Sequence, residues 1–494
     1  MRILLLQPVP DRWRLRDSAR VPSSAPLSTF GDDREALIAG LALSLAKLLR
    51  VLRHTLSSRG FKFLGVTLPA FLTLCSASAQ VSFYTVVDSA LRNDPQVRMG
   101  TADVERARAG VKEGIGVYEP SLLVGSGLGF TYGFPVGQPA VYSVGAQSLA
   151  FSFSQPDYIR AARAALVSAR LRLKDVRQQT ILDAALDYIE LNKVSQQISA
   201  LDEERGYVQK LIEIEDARVD AGRDSRIELT RARLLEAQVR LKRLQLLDQS
   251  DLLRARLGHL TALAPADLTP QTETIPVPPP ATSSGNLDSV VMSNNSGVQA
   301  AYAAAKSKLY TAFGDNRQYN RPTFVFGLEY SRYAKFNNYN LYYLRFQHNN
   351  FNVGIQIQFP LFDATRKARA EGSSADAAHA AAEADLQRNK TSETVLQLQK
   401  SLDELAAQAQ VAELQSELAQ DQLQAVTTQL QTGNGNPNAP ALSPKDQQQA
   451  HIDERSRYLD MLDAQFQLTQ AQLNLMRSMG TIEDWAKSIP APKP

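Results

Sequence analysis

The chain has 494 residues, 44% of them hydrophobic and 21% charged, enough for two or three ordinary domains. Residues 1–79 hold 11 of the 54 Lys/Arg and 5 of the 51 Asp/Glu, so the formal charge of +3 becomes −3 for the rest, which excludes a basic nucleic-acid-binding surface. The single cysteine, Cys75, falls in the same leader, which excludes a disulfide scaffold and a Cys-ligated metal site.

The leader reads as a secretory signal. Arg59 and Lys62 precede an apolar run from Phe63 to Leu74, and Ala77-Ser-Ala79 supplies a small-residue cleavage site ahead of Gln80. A signal belongs near a start codon, so residues 1–50 are expected to come from a misassigned upstream start, the alternative being a long n-region. Leu72 to Cys75 is a poor lipobox because Leu74 is not small. After residue 79 no stretch offers the ~18 apolar residues of a spanning helix.

From Val81 to Val117 the sequence is helical, broken at Asn93-Asp94-Pro95, where Pro95 can start a second helix. Val97, Ala102, Val104, Ala107 and Val111 give that helix its apolar face. From Pro120 the period drops to two, and Leu122, Val124, Leu128, Phe130, Tyr132 and Phe134 alternate with glycines. A turn at Pro135 to Pro139 leads to a second alternating run ending Leu149, Phe151, Phe153. Both runs read as strands.

Asp157 to Leu263 reads as one very long helical hairpin. Its first arm, from about Tyr158 to Asp220, has no proline and only Gly206, so it would extend roughly 90 Å. Gly222 is the helix stop, and Ser225 with Glu228 forms a capping-box pattern for the return arm. There Ala232, Val239, Leu246 and Leu253 recur every seven residues, with Leu235 on the same face, which predicts a seam against a partner helix. Ala264 to Gly285, centred on Pro276 to Pro280, reads as a linker.

The plan then repeats at an offset of about 200 residues. Asn294 to Val298 stands where Asn93 to Val97 stood, and Pro322 where Pro120 stood. Phe324, Phe326, Leu328 and Tyr330 alternate in one strand, and Phe351, Val353, Ile355, Ile357 and Phe359 in the next. A long helix runs from about Asp363 to Gln431, a turn spans Thr432 to Pro440, and a return helix runs from about Pro444 to Met479. Ile452, Leu459, Phe466 and Leu473 repeat every seven residues, with Leu462 and Met476 beside them. The expected domains are a leader (1–79), a first repeat (80–275), a linker (276–286), a second repeat (287–485) and a tail (486–494).

Four amphipathic strands per chain cannot close a barrel, and an open sheet edge cannot persist in lipid, so several chains are needed. The expected fold is mainly α with a membrane β-barrel, each duplicated unit giving a helix, two strands and a long helical hairpin. Phe130, Tyr132, Phe134, Tyr330, Tyr333, Tyr342 and Tyr343 are candidates for a membrane-interface girdle, the competing reading being a β-sandwich core. His259, His348, His379 and His451 are scattered without metal-ligand spacing, and no phosphate loop or nucleophile is evident, so neither enzyme activity, cofactor nor metal is expected.

The duplicated plan, the strand end Phe359-Pro360-Leu361-Phe362-Asp363 and the hairpin text from Arg218 to Arg233 resemble the TolC-type outer-membrane efflux protein family. The resemblance covers about Val81 to Gly480. It implies a homotrimer with a twelve-stranded barrel and a helical tunnel, in the outer membrane of a Gram-negative bacterium with a long periplasmic portion. It implies that the channel is an exit duct of tripartite efflux or type I secretion. The partners would be a periplasmic membrane-fusion (adaptor) protein, an inner-membrane pump of RND, ABC or MFS type, and outer-membrane lipid. It further implies that Arg218, Gly222, Arg223 and Gly433 lie at adaptor-docking tips, and that Glu228 and Asp446 are entrance residues. A second acidic entrance position is Gln449 here, and about seven extra residues precede Asp446. A carboxylate ring at a narrow opening would attract cations; plain helix capping is the other reading of Glu228 and Asp446. The alternative function is a periplasmic coiled-coil adaptor or structural protein without a pore.

Overall fold

The computed structural model describes residues 80–127, 140–279, 287–333, 347, 349–432 and 442–489. The described residues all belong to one compact unit. The signal sequence with Cys75 and Ala79, the girdle candidates Phe130, Tyr132, Phe134, Tyr342 and Tyr343, and the turn residue Gly433 lie outside the described residues.

A short strand β1 (Gln80–Val81) leads into α1 (Phe83–Asn93) and α2 (Pro95–Gly116). Strands β2 (Ser121–Ser126) and β3 (Ala140–Ser152) follow. The first hairpin is α3 (Gln155–Asp220) and α4 (Arg226–Thr261). After β4 (Thr269–Pro270) come α5 (Leu287–Asn294), α6 (Ser296–Asn320), β5 (Thr323–Tyr333) and β6 (Asn349–Gln358). The second hairpin is α7 (Ala364–Thr432) and α8 (Pro444–Ser478), and α9 (Ile482–Ser488) closes the described chain.

Both helix breaks are built alike. Asp94 accepts from the Gln96 amide at 2.9 Å, and Asn295 accepts from the Val298 amide at 2.9 Å. Both caps are buried and also tie to a distant helix, Asp94 to the Thr180 hydroxyl and Asn295 to the Ser478 carbonyl. Capping oxygens thus satisfy helix-start amides that burial would otherwise leave unpaired.

The helices form a layer in which α3 is central. It packs on α4, α6, α8 and α2, while α7 packs on α6 and α8. The seven-residue seams are buried: Ala232, Val239 and Leu253 on α4, and Ile452, Leu459 and Leu473 on α8. On α2 the expected face is buried at Val97 and Val104 and half-buried at Ala107 and Val111, while Ala102 is exposed.

One reading from composition is corrected. The stretch read as a linker from Ala264 is ordered through Ile275: β4 pairs in parallel with β1, and Leu268 is 2% exposed. Tyr188 holds this corner, donating to the Val81 carbonyl and accepting from the Gln271 amide, each at 2.8 Å. Residues 482–488 form α9, which crosses the expected boundary between the second repeat and the tail. Its Ile482 and Trp485 are buried, and Trp485 lies edge-on to Phe83 at 5.8 Å.

Candidate functional site

Two regions carry the chemistry: the end of the layer where the hairpins turn, and the four-stranded sheet at the other end of the hairpin arms.

At the first turn, α3 ends in a Schellman motif. Arg223 donates its amide to the Arg218 carbonyl at 2.8 Å and Gly222 to the Val219 carbonyl at 2.9 Å, with Gly222 at φ +68°. Arg218 donates Nε to Asp224 Oδ2 at 2.5 Å, which tethers the turn to the helix that precedes it. Arg223 is exposed. The capping box expected at Ser225 is absent, since the Ser225 side chain makes no cap hydrogen bond. Glu228 is drawn to cations instead: Arg231 Nη1 is 2.5 Å from its Oε1, and Lys445 Nζ is 3.8 Å from its Oε2.

The capping box sits at the second tip. Ser443 donates its amide to Asp446 Oδ2 at 2.7 Å and its hydroxyl at 2.8 Å. These bonds hold the Asp446 carboxyl below its usual range, and Lys445 and Arg218 add to the effect. Gln449 donates to Asp453 Oδ1 at 3.0 Å, so a carboxylate stands one turn beyond the neutral position.

No sequence pattern singles out Lys445, which joins the two hairpins. Its ammonium lies 2.6 Å from Glu215 Oε1, 3.9 Å from Asp224 Oδ2 and within reach of Glu228. The Glu215 hydrogen bond raises the lysine above its usual value, and the Arg218 hydrogen bond lowers Asp224 below its own. The only available signal was a basic residue beside Asp446 in the first turn of α8. What it meets depends on a residue 230 positions earlier, which no local pattern encodes.

The sheet runs β2-β3-β5-β6, antiparallel throughout. Its register sorts residues into two faces. Leu122, Ala146, Leu328 and Val353 form one row across the four strands, and Val124, Val144, Tyr330 and Phe351 the next. The opposite face aligns Leu123, Gly145, Glu329 and Asn352, and carries Ser143, Gln147, Ser331, Asn350 and Gln356. In the single chain the apolar face is uncovered, with Ile355 63% and Ile357 62% exposed. No second sheet packs on it among the described residues, so a sandwich core is not its explanation.

Aromatics fall in two bands on the apolar side. Tyr330 donates to Asn349 at 3.0 Å and lies 6.1 Å from the Tyr142 ring; Phe151, Phe153 and Phe324 cluster at the other end. Tyr330 and Phe324 are six residues apart, a rise of roughly 20 Å. Alternation puts Tyr333 on the face of Glu329 and Ser331, opposite Tyr330. The inner band was missed because Phe151 and Phe153 were read only as strand residues.

Among the described residues no group of side chains could hold a metal ion, and no helix is long and apolar enough to cross a membrane. His451 stacks on Tyr207 with ring centroids 4.2 Å apart, which accounts for it as a packing residue.

No protein-family model and no curated protein matches this sequence. Solved structures do. The outer membrane protein VceC of Vibrio cholerae aligns with a TM-score of 0.62 at 16% identity, over 81% of this chain and 96% of that one. The CmeC outer membrane channel of Campylobacter jejuni aligns with a TM-score of 0.67 at 12% identity, over 86% and 94%. The MtrE outer membrane channel of Neisseria gonorrhoeae, solved in its open state, aligns with a TM-score of 0.59 at 15% identity, over 81% and 89%. The chain has the fold of these outer-membrane channels, the one that its resemblance to TolC-type proteins implies.

Proposed function

We propose that this chain is the outer-membrane exit duct of a tripartite efflux or type I secretion system, passive and non-enzymatic, built from three copies. The observation that carries the reading is the sheet: apolar on one face, polar on the other and, among the described residues, unpaired at both edges, β2 and β6. Lipid tolerates no open edge. With four antiparallel strands, β6 of one copy meets β2 of the next in antiparallel sense, so copies add without a break and three give a twelve-stranded barrel. The two aromatic bands are spaced as interface girdles would be.

The helix layer supports the same closure. Ile227, Leu234 and Leu241 recur every seven residues on the outer side of α4, and Val411, Leu414 and Leu418 line α7, all of them exposed in one chain. Both helices are margins of the layer, so each apolar stripe meets a neighbouring copy. The repeated order of elements reflects an internal duplication, with domains at 80–275 and 287–485 joined through 276–286. Arg218, Gly222, Arg223 and Gly433 at the turns are the docking positions for a periplasmic adaptor, which connects the duct to an inner-membrane pump. Glu228, Asp446 and Gln449 border the entrance, which the Lys445 network holds shut.

The test is the native mass of the detergent-solubilised protein from outer-membrane fractions. Three copies per particle support the reading; a monomer in the soluble periplasmic fraction supports the pore-free adaptor instead.

A further inference from the structure

Between Tyr158 and Leu182, α3 carries six basic residues and one carboxylate, Asp175, which is spent on Arg477 at 2.9 Å. Arg163, Arg170, Lys174 and Arg177 follow at spacings of seven, four and three, so they share one helix face, and all four are exposed. Among the described residues none of the four has an ion-pair or hydrogen-bond partner. Like charges at these spacings repel, so the row is not accounted for by the stability of α3.

Three of the four meet a second element. Arg170, Lys174 and Arg177 line a recess of about 330 Å³, closed by Gly480 and by Glu483, Asp484 and Lys487 of α9. Glu483 and Lys487 pair with each other at 3.1 Å, which leaves three cations and the Asp484 carboxylate unmatched. Beside the recess the fully buried Gln178 donates Nε2 to the Gly480 carbonyl at 3.2 Å, and its Oε1 has no hydrogen-bond partner. At this level α3 is flanked by its own chain on both sides. Leu173 packs on Gly100 of α2, and Ser168 donates to the Ala300 carbonyl of α6 at 2.8 Å. The recess is therefore central in the layer and clear of the margins where copies meet.

The chemistry narrows the occupant. The three cations span roughly 10 Å along α3, more than one phosphate covers. Their steps of about 5–6 Å are close to those between alternate side chains of an extended peptide. Asp484 repels a compact anion, yet it and Gln178 Oε1 are acceptors that peptide N–H groups can satisfy. Arg170 lies 15 residues beyond Gln155, where α3 leaves the sheet, so roughly 22 Å separates it from the strand end. That is past a lipid headgroup layer.

We infer that this recess is a docking site for an acidic segment of a periplasmic partner protein, with carboxylates at alternate positions. It is separate from the hairpin tips, since Asp220 lies 43 residues further along α3 than Arg177, roughly 65 Å away. The inference rests on the duct reading at one point: in a duct the side of the layer that carries α9 is the outer wall, because the lumen must stay clear.

The experiment is the binding of fluorescent hexaglutamate to the full-length, detergent-solubilised protein, followed by anisotropy. Wild type should bind it, should bind it less as KCl rises from about 50 to 300 mM, and should not bind hexalysine. Arg170→Glu/Lys174→Glu/Arg177→Glu should lose at least about tenfold in affinity. It should also gain binding of hexalysine, which a misfolded variant would not. Arg240→Glu, at an exposed arginine of α4, should behave as wild type. Unchanged binding in the triple variant, or an equal loss in Arg240→Glu, overturns the site. Inorganic phosphate that displaces the peptide at equal concentration overturns the peptide as its occupant. Particles of three copies that do not bind hexaglutamate overturn this inference alone, whereas a monomer that binds it keeps the site and overturns the duct.

Discussion

Lys445 Nζ lies 2.6 Å from Glu215 Oε1, linking the start of α8 to the end of α3 through a carboxylate whose side chain is only 2% exposed. Removing the lysine strands a buried charge, which is costly, whereas replacing both partners by apolar groups is not. Lys445→Met should destabilise the tip by about 2 kcal/mol, the lysine being partly solvated. Lys445→Met/Glu215→Leu should recover most of it. Thermal unfolding and limited proteolysis at the tips measure both.

The same network fixes a pH dependence. Lys445 is raised, so its contribution is complete below the ordinary lysine range and is lost only as pH rises through its elevated folded value. Asp224 and Asp446 are lowered, so their contributions are present above the ordinary carboxylate range and vanish as pH falls through their depressed values. Tip protection against protease should therefore be flat around neutrality and fail at both extremes.

Asp187 on α3 behaves oppositely. Burial pushes its carboxyl up to about 6, against the pull of Arg256 on α4, with Asp183 and Glu190 on its own helix adding to the rise. A folded state that holds the proton more tightly than the unfolded one loses stability as pH rises from the ordinary carboxylate value toward about 6, and the loss is complete above that. Asp187→Asn should raise the unfolding temperature near neutral pH and change it little at about pH 4.

Gly222 and Gly480 both have positive φ, at +68° and +76°, but their surroundings differ. A Cβ on Gly222 meets nothing within 4 Å, and one on Gly480 would lie 2.3 Å from the Asn294 carbonyl oxygen. Gly222→Ala should cost about 1 kcal/mol of backbone strain, and Gly480→Ala several times as much because the neighbouring backbone must shift. Denaturant midpoints of the two variants should separate clearly.

The exposed stripe on α4 gives an assembly prediction. Leu234→Glu/Leu241→Glu places charges where a neighbouring copy is expected, without touching the buried seam of Ala232 and Val239. The helical content of the variant should match wild type by circular dichroism, while its native mass falls to that of one chain.

Much of this architecture is written locally. Period-two alternation marked Phe351 to Ile357 as a two-faced strand, seven-residue spacing marked Val239 and Leu459 as seams, and Gly222 marked the turn. What stayed hidden depends on long-range partners. β1 and β4 pair over only two residues each, too few for any period to register. Trp485 stands at the end of the second repeat with no local sign of a core role, because its burial comes from Phe83, four hundred residues away. Ser225 with Glu228 and Ser443 with Asp446 have the same capping pattern. The first yields because Arg231 and Lys445 compete for its glutamate, and nothing near Ser225 in the sequence indicates Lys445.

The most direct measurement is single-channel current from the purified protein in a planar lipid bilayer. A three-copy barrel whose entrance is held by Lys445 predicts small discrete steps for wild type, and larger or longer-lived ones for Lys445→Met. A folded protein that never inserts, giving no steps in either form, would contradict the exit-duct reading.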